Sequence, residues 1–311
     1  MAHSNMAEGE LFLPEGSALL VPIARIHTDY SQKFGIPRQS GLAPDVAGRI
    51  VFEPEFSFNK AVAGLEGFSH LWLLWRFENG LAGGSAQDVG HDVGVAAASP
   101  AAATAACPQG ARQVGVHTPA YVGPVAADGC NTFQADAETE LARLLAEHVG
   151  WAKTVRPPRL GGSQRKGVFA TRSPFRPNPV GLSCVRLDRV ELTSAGPVVH
   201  VLGADLRDGT PIFDIKPYVP YADCQPQATG GFTDDLEQPN LQVEFPPELL
   251  ERVDPSKRRA LAQVLSCDPR PVGKEDPERE YALGFAGMEV VFRVHENALH
   301  VIDVKGACEN G

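Results

Sequence analysis

The sequence predicts a mainly β fold, a barrel or a sandwich, followed by a small α+β unit. Three observations carry this. Apolar runs of strand length recur along the chain, glycine (31) and proline (26) punctuate them, and few stretches have helical spacing. With 311 residues, 43% apolar and 21% charged, the chain can bury a sizeable core. We divide it into residues 17–224, with an Ala/Gly-rich insertion at about 81–150, and residues 225–311.

The elements follow in order. Residues 18–27 (ALLVPIARIH) are expected to form a strand, and the loop TDYSQKFGIPRQSGL follows, shaped by Gly35, Pro37 and Gly41. GRIVF (48–52) is a second strand, KAVAGLEG allows one helical turn, and His70–Phe77 is a continuous apolar run that suits a buried central strand. Residues 81–133 lose periodicity and read as a flexible surface insertion, whereas 134–149 regain helical spacing through Leu141, Leu144, Leu145 and Val149. SCVRLDRVEL and PVVHVLGADL are strands, and the Asp208–Gly209 turn joins the latter to PIFDIKPYVPY. Beyond a linker from about Gln225, LQVEFP is a strand and PELLERVDPSKRRALAQVLSCD is helical. MEVVFRVHE and LHVIDV then form a hairpin across Glu296–Ala298.

Several classes are disfavoured. No run of 18 apolar residues exists, so no membrane span is expected. The first residues are polar and acidic and lack a secretory pattern, so a cytoplasmic location is expected. The cysteines, Cys107, Cys130, Cys184, Cys224, Cys267 and Cys308, have no CxxC spacing, which argues for reduced thiols and against zinc or a disulfide scaffold. No GxGxxG follows a strand, and GxxxxGK[ST], HExxH and GxSxG are missing. Asp205, Asp208 and Asp214 are too few for a calcium loop, and no metal is expected. His70 is read as a strand-end histidine, and Trp72, Trp75 and Phe77 as core.

Charge is concentrated. The chain carries a formal −10, yet Trp151–Val190 holds nine cations, Lys153, Arg156, Arg159, Arg165, Lys166, Arg172, Arg176, Arg186 and Arg189, against Asp188 alone. This stretch of +8 implies a local anionic partner. Four polar loops, 33–41, 75–79, 170–179 and 203–218, set charged or amide side chains beside Gly or Pro, where binding residues commonly sit on a rigid β scaffold.

These loops carry a family resemblance. KFGIPRQSGL, GLEGFSHLWLLWRF, TVRPPRLGGSQRKGVFATRSPFRPNPVGLS and DLRDGTPIFDIKPYVPYAD, in this order, resemble the TrmO (TsaA-like or YaeB-like) family, and CDPRPV at 267–272 resembles its small extra domain. The resemblance implies a β-barrel, neither Rossmann nor knotted. It also implies an S-adenosylmethionine-dependent methyltransferase acting as a homodimer on N6 of threonylcarbamoyladenosine at position 37 of threonine tRNA, in the anticodon loop. It departs from the family in the roughly 70 residues between Asn79 and TVRPPRLGG.

On that resemblance the cofactor role is carried to Arg38, Gln39, Ser40, Glu78, Asn79, Arg172, Leu182 and the loop Gly203, Ala204, Asp205, Leu206, Arg207, Asp208, Gly209 and Thr210. A methyl acceptor that carries N–H must lose a proton, so Asp208 or Asp214 is the expected acceptor or substrate-orienting group, with Lys216 and Tyr218 polarising the carbamoyl oxygen. Arg156, Arg159, Arg165, Lys166 and Arg176 are expected at tRNA phosphates. The same loops would also serve a non-catalytic RNA- or nucleotide-binding barrel, or a methyltransferase with another substrate.

Overall fold

The computed structural model describes residues 20–77, 151–157, 164–236, 238–271 and 276–306. Six strands close into a barrel: β1 (Ala24–Thr28), β2 (Ala47–Phe52), β3 (His70–Arg76), β6 (Val180–Thr193), β7 (Gly196–Leu202) and β8 (Thr210–Pro217). They run in the order β1-β2-β7-β6-β3-β8, and every neighbouring pair is antiparallel. Closure removes both sheet edges. A two-stranded ribbon, β4 (Thr154–Val155) with β5 (Lys166–Gly167), stands beside it. The expected 81–150 insertion and its helix lie outside the described residues.

Period-two alternation sets the barrel core. Ile26, Ile50, Leu71, Leu73, Val185, Val199, Val201 and Ile212 point inward and are almost fully buried. Each such side chain contributes about 1.5–3 kcal/mol on leaving water. The first strand starts later than expected, at Ala24, because Pro22 has no N–H to offer a ladder. Strand β3 reads as continuously apolar, but only Leu71 and Leu73 are fully buried, since a barrel wall has an outer face. On that face Trp72 packs on Tyr218, ring centres 5.9 Å apart.

The C-terminal sheet has the order β10-β11-β12-β9: β10 (Tyr281–Phe285), β11 (Met288–His295), β12 (Ala298–Lys305) and β9 (Gln242–Glu244), with β9 parallel to β12. The expected hairpin across Glu296–Ala298 joins β11 to β12. Strand β10 was not expected, although Tyr281, Leu283 and Phe285 alternate inward in it. The single helix expected here is two. After α1 (Pro220–Asp223), α2 (Pro247–Leu250) ends early and α3 (Pro255–Ser266) starts afresh. Pro255 cannot continue a helix but suits its first turn, and Asp254 caps α3 by accepting from the Ser256 amide at 2.8 Å.

The second core, around Leu261, Leu265, Phe285 and Phe292, also takes in Tyr30, Ala43 and Val46 from the β1–β2 loop. Phe34 stacks on Tyr281, with ring centres 6.5 Å apart. Gly35 (φ +84°) lies so close to Leu283 that an added Cβ would sit 2.1 Å from its Cδ1. Across the same junction Gln263 bonds to Asp45 twice, donating from Nε2 to Oδ2 at 2.6 Å and accepting from the Asp45 amide at 2.9 Å. The loop carrying Arg38, Gln39 and Ser40 is therefore packed from beneath by the C-terminal sheet and helix.

Candidate active site

Several of the expected cofactor residues meet at one end of the barrel. Arg172 Nη1 donates to Gln39 Oε1, joining loops far apart in sequence. Ser40 Oγ accepts from the Cys184 amide at 3.1 Å, fixing the same loop to β6. The Gly41 amide donates to the Gly203 carbonyl at 2.8 Å, and Gly203 adopts φ +76°, which favours glycine, with Gly41 Cα packed tightly at 3.3 Å from where a Cβ would stand. Leu182, on the outer face of β6, is 50% exposed.

Beneath this junction lies a polar chain that the residues alone did not announce. Trp75 Nε1 donates to Ser183 Oγ at 3.0 Å, and Ser183 Oγ donates to Asp205 Oδ1 at 2.6 Å. Burial pushes the Asp205 carboxyl above the usual aspartate range, and the Ser183 hydroxyl, backbone N–H groups and the Arg172 charge oppose that rise. The Trp75 indole lies directly over Gly181, where a Cβ would come within 2.3 Å of the ring. Ser183 breaks an otherwise apolar inward alternation, which is the one signal that could have found it. Trp75 was read only as core.

The 203–210 loop divides. Ala204 and Leu206 send their side chains into the barrel core, so only their backbone can reach a ligand. Arg207 is half-buried, and its carbonyl accepts from Thr210 Oγ1 at 2.7 Å. The Gly209 amide donates to the Ile26 carbonyl at 2.9 Å. Asp208 turns towards β1, accepting from the Thr28 amide at 3.1 Å and standing 3.2 Å from His27 Nδ1. It lines an open groove of about 600 Å³ with Arg49, Arg189 and His200. Arg38 faces a different cleft, against Asp268 and Arg270.

Asp214, Lys216 and Tyr218 share the outer face with Leu182. Register pairs Leu182 with Leu74 and Leu74 with Asp214, while Cys184 pairs with Trp72 and Trp72 with Lys216. Two strand spacings separate Leu182 from Asp214, about 10 Å. Lys216 Nζ stands 2.9 Å from Asp214 Oδ2. Tyr218, beside Trp72 and His70, has its phenol pushed up by desolvation and then by Cys224, so at neutral pH it donates a hydrogen bond rather than accepting a proton. The structure thus gathers Asp214, Lys216 and Tyr218 on one face and sets Asp208 apart from them.

Among the basic residues, Arg156 and Arg165 are exposed, and Arg165 Nε donates to Thr154 Oγ1 at 2.9 Å. Lys166 Nζ lies 5.2 Å from the centre of the Phe232 ring. Arg176 turns into its own loop, where Nη2 donates to the Val168 and Thr171 carbonyls at 3.1 and 2.7 Å. Glu78, Asn79 and Arg159 lie outside the described residues. Among the described residues no three His, Cys, Asp or Glu side chains are grouped to hold a metal ion, and no helix is long and apolar enough to cross a membrane.

This arrangement has relatives. Residues 25–101 and 126–224 match the model of the tRNA-methyltransferase O N-terminal domain, and residues 238–307 match that of the TrmO C-terminal domain. The chain belongs to the TrmO family. It is 30% identical over 287 residues to the tRNA (adenine(37)-N6)-methyltransferase of Escherichia coli, covering 90% of this chain and 94% of that one. It is 45% identical over 161 residues to the enzyme of the same name from Eikenella corrodens, covering 51% of this chain and 90% of the relative. The crystal structure of TrmO from Pseudomonas aeruginosa superposes with a TM-score of 0.57 at 27% identity, over 93% of this chain and all of that one. The closed barrel expected from the TrmO resemblance is the barrel observed.

Proposed function

We propose that this protein transfers a methyl group from S-adenosylmethionine to N6 of adenine 37 in a tRNA, the acceptor being threonylcarbamoyladenosine of a threonine tRNA. The observation that carries the reading is the convergence of Arg172 with Gln39, Ser40 with β6, and Ser183 with Asp205 at the barrel end of a TrmO-family chain.

The residues there suit this cofactor chemically. Arg172 offers a guanidinium to a carboxylate, Asp205 offers an acceptor to hydroxyl or ammonium groups, the 203–206 backbone offers amide edges, and Leu182 offers an apolar surface. Gln39, Ser40, Glu78 and Asn79 complete the proposed set, and Arg38, which faces the neighbouring cleft, supports the same loop. When bound, the cofactor supplies an electrophilic methyl on a sulfonium sulfur.

The chain's own residues then do three things. The barrel end and its loops hold the acceptor nitrogen in line and keep water away. Lys216 and Tyr218 donate hydrogen bonds to the carbamoyl oxygen. As the N6–CH3 bond forms and the S–CH3 bond breaks, the N6 proton passes to a carboxylate. Asp214 is the preferred acceptor because it shares the outer face with Leu182 and Lys216, whereas Asp208 turns towards β1. Asp214 Oδ1 accepts from the Ile215 amide at 2.9 Å and Oδ2 meets Lys216, which orients the carboxylate.

Arg156, Arg159, Arg165 and Lys166 take the tRNA phosphates, and Arg176 adds its charge from beneath the loop. We assign residues 17–224 to catalysis and 225–311 to holding the cofactor loop. We further propose a cytoplasmic homodimer, consistent with the exposed Leu182 and half-buried Leu74 and Trp72 on one barrel face. The test is incubation of purified protein with unmethylated tRNA and methyl-labelled S-adenosylmethionine. Label should enter the nucleoside at position 37. A barrel that only binds RNA would leave the tRNA unlabelled.

A further inference from the structure

Phe169 is 75% exposed, yet its backbone is held firmly. It sits at the centre of a single turn, Val168–Ala170, whose first residue is buried at 1%. The Val168 amide donates to the Lys153 carbonyl at 3.0 Å. The Val168 carbonyl collects the Thr171 amide at 3.1 Å, Thr171 Oγ1 at 2.8 Å and Arg176 Nη2 at 3.1 Å. Arg176 also binds the Thr171 carbonyl, so one guanidinium spans the turn. The chain therefore fixes a large apolar ring in water when a flexible loop could have turned it inward.

The chain on either side of the turn is cationic. The supporting ribbon carries Lys153, Arg156, Arg165 and Lys166, and Arg172 lies three residues on. Tyr221 at 92% and Phe58 at 61% are also well exposed, but Tyr221 stands beside Asp223, and Phe58 follows Glu53 and Glu55 with Lys60 as the one nearby cation, so neither lies in a run of cations. Singly exposed apolar residues are ordinary and need no explanation. An aromatic ring braced among cations fits unpaired nucleic acid, in which phosphates meet cations and base faces meet rings.

We infer that Phe169 is a stacking platform for an unpaired base of the RNA substrate, presented by the Arg176 brace and set within the phosphate-binding cations. This rests on the proposed tRNA substrate and adds a base contact to it.

The experiment measures binding of an anticodon stem-loop RNA by fluorescence anisotropy across a salt series, for wild type, Phe169→Ala, Phe169→Leu and Phe169→Tyr. Removing one stacked base should weaken binding about 5- to 150-fold in the Ala variant. Leu, apolar but without a ring face, should fail similarly, and Tyr should bind within a few-fold of wild type. The slope of affinity against salt should stay unchanged, because no phosphate contact is lost. Cofactor affinity by calorimetry and the sedimentation coefficient should also hold. The inference is overturned if Ala binds RNA as wild type does or if Leu restores full affinity. A smaller sedimenting species for Ala would also overturn it, making Phe169 a subunit contact. If wild type fails to methylate tRNA at all, the proposed function itself falls, and the anisotropy series alone then decides whether Phe169 stacks on an RNA base.

Discussion

Lys257 donates two hydrogen bonds to the Asp29 carboxylate, at 2.8 and 2.7 Å, fastening helix α3 to the residue that leaves β1 and opens the 29–46 loop. Asp29 is 16% exposed and Lys257 31%. Lys257→Met would leave the Asp29 carboxylate short of its partner in a partly buried seat, at a cost of about 1–3 kcal/mol. Urea denaturation should show this as a lower midpoint with an unchanged slope.

Gly35 supports the same loop from the other side. Gly35→Ala requires a positive φ that alanine dislikes and drives a methyl into Leu283. The loop must shift, and with it Gln39 and Ser40. We expect the KM for S-adenosylmethionine to rise about tenfold with a smaller change in kcat, a shift of about 1.4 kcal/mol in ground-state binding. Steady-state kinetics at saturating tRNA measures it. An unchanged KM would show that the C-terminal unit does not position the cofactor loop.

The two candidate proton acceptors should separate. Asp214→Asn should lower kcat about 10²- to 10⁴-fold, the usual range for loss of a general base. Asp208→Asn should keep turnover within a few-fold, because its carboxylate turns towards His27 and Thr28 of β1 and away from the face that carries Leu182 and Lys216. Single-turnover methylation with both variants saturated in cofactor decides between them.

Asp205 gives a pH signature. Its folded-state affinity for a proton is raised, so its contribution to stability is fully present below the ordinary aspartate pKa of 3.8 and is lost as pH rises through the folded value. Loss of that proton as pH rises therefore weakens the fold. Asp205→Asn should denature at a higher temperature than wild type at pH 8, and the gap should close towards pH 4. Calorimetric melting across this range checks the sign. A gap that widens on acidification would contradict it.

Much of the barrel is visible in the sequence because its strands alternate. Val199 and Val201 point in and His200 points out, and the turn at Asp208–Gly209 lies where expected. What sequence reasoning misses is longer in range. That Tyr30, Ala43 and Val46 complete the C-terminal core depends on partners far along the chain, such as Phe285 for Tyr30, and no local period reports it. The same holds for Gln39 and Arg172, which share a loop junction only after the barrel closes. Charge alone places Arg176 at a phosphate and does not announce that its Nη2 also binds carbonyls of its own loop, a contact set by backbone geometry. The Trp75–Ser183–Asp205 chain was hidden because a lone serine in a strand and a tryptophan in an apolar run each have an ordinary explanation.

The central claim is methylation of a modified adenosine beside the anticodon. Its most direct test is mass spectrometry of nucleosides from tRNA of a strain deleted for this gene, with and without the gene restored. The account predicts that N6-methylated threonylcarbamoyladenosine disappears on deletion, that the unmethylated nucleoside accumulates in its place, and that restoring the gene brings the methyl group back. Persistence of the methylated nucleoside at wild-type level in the deletion strain would contradict it.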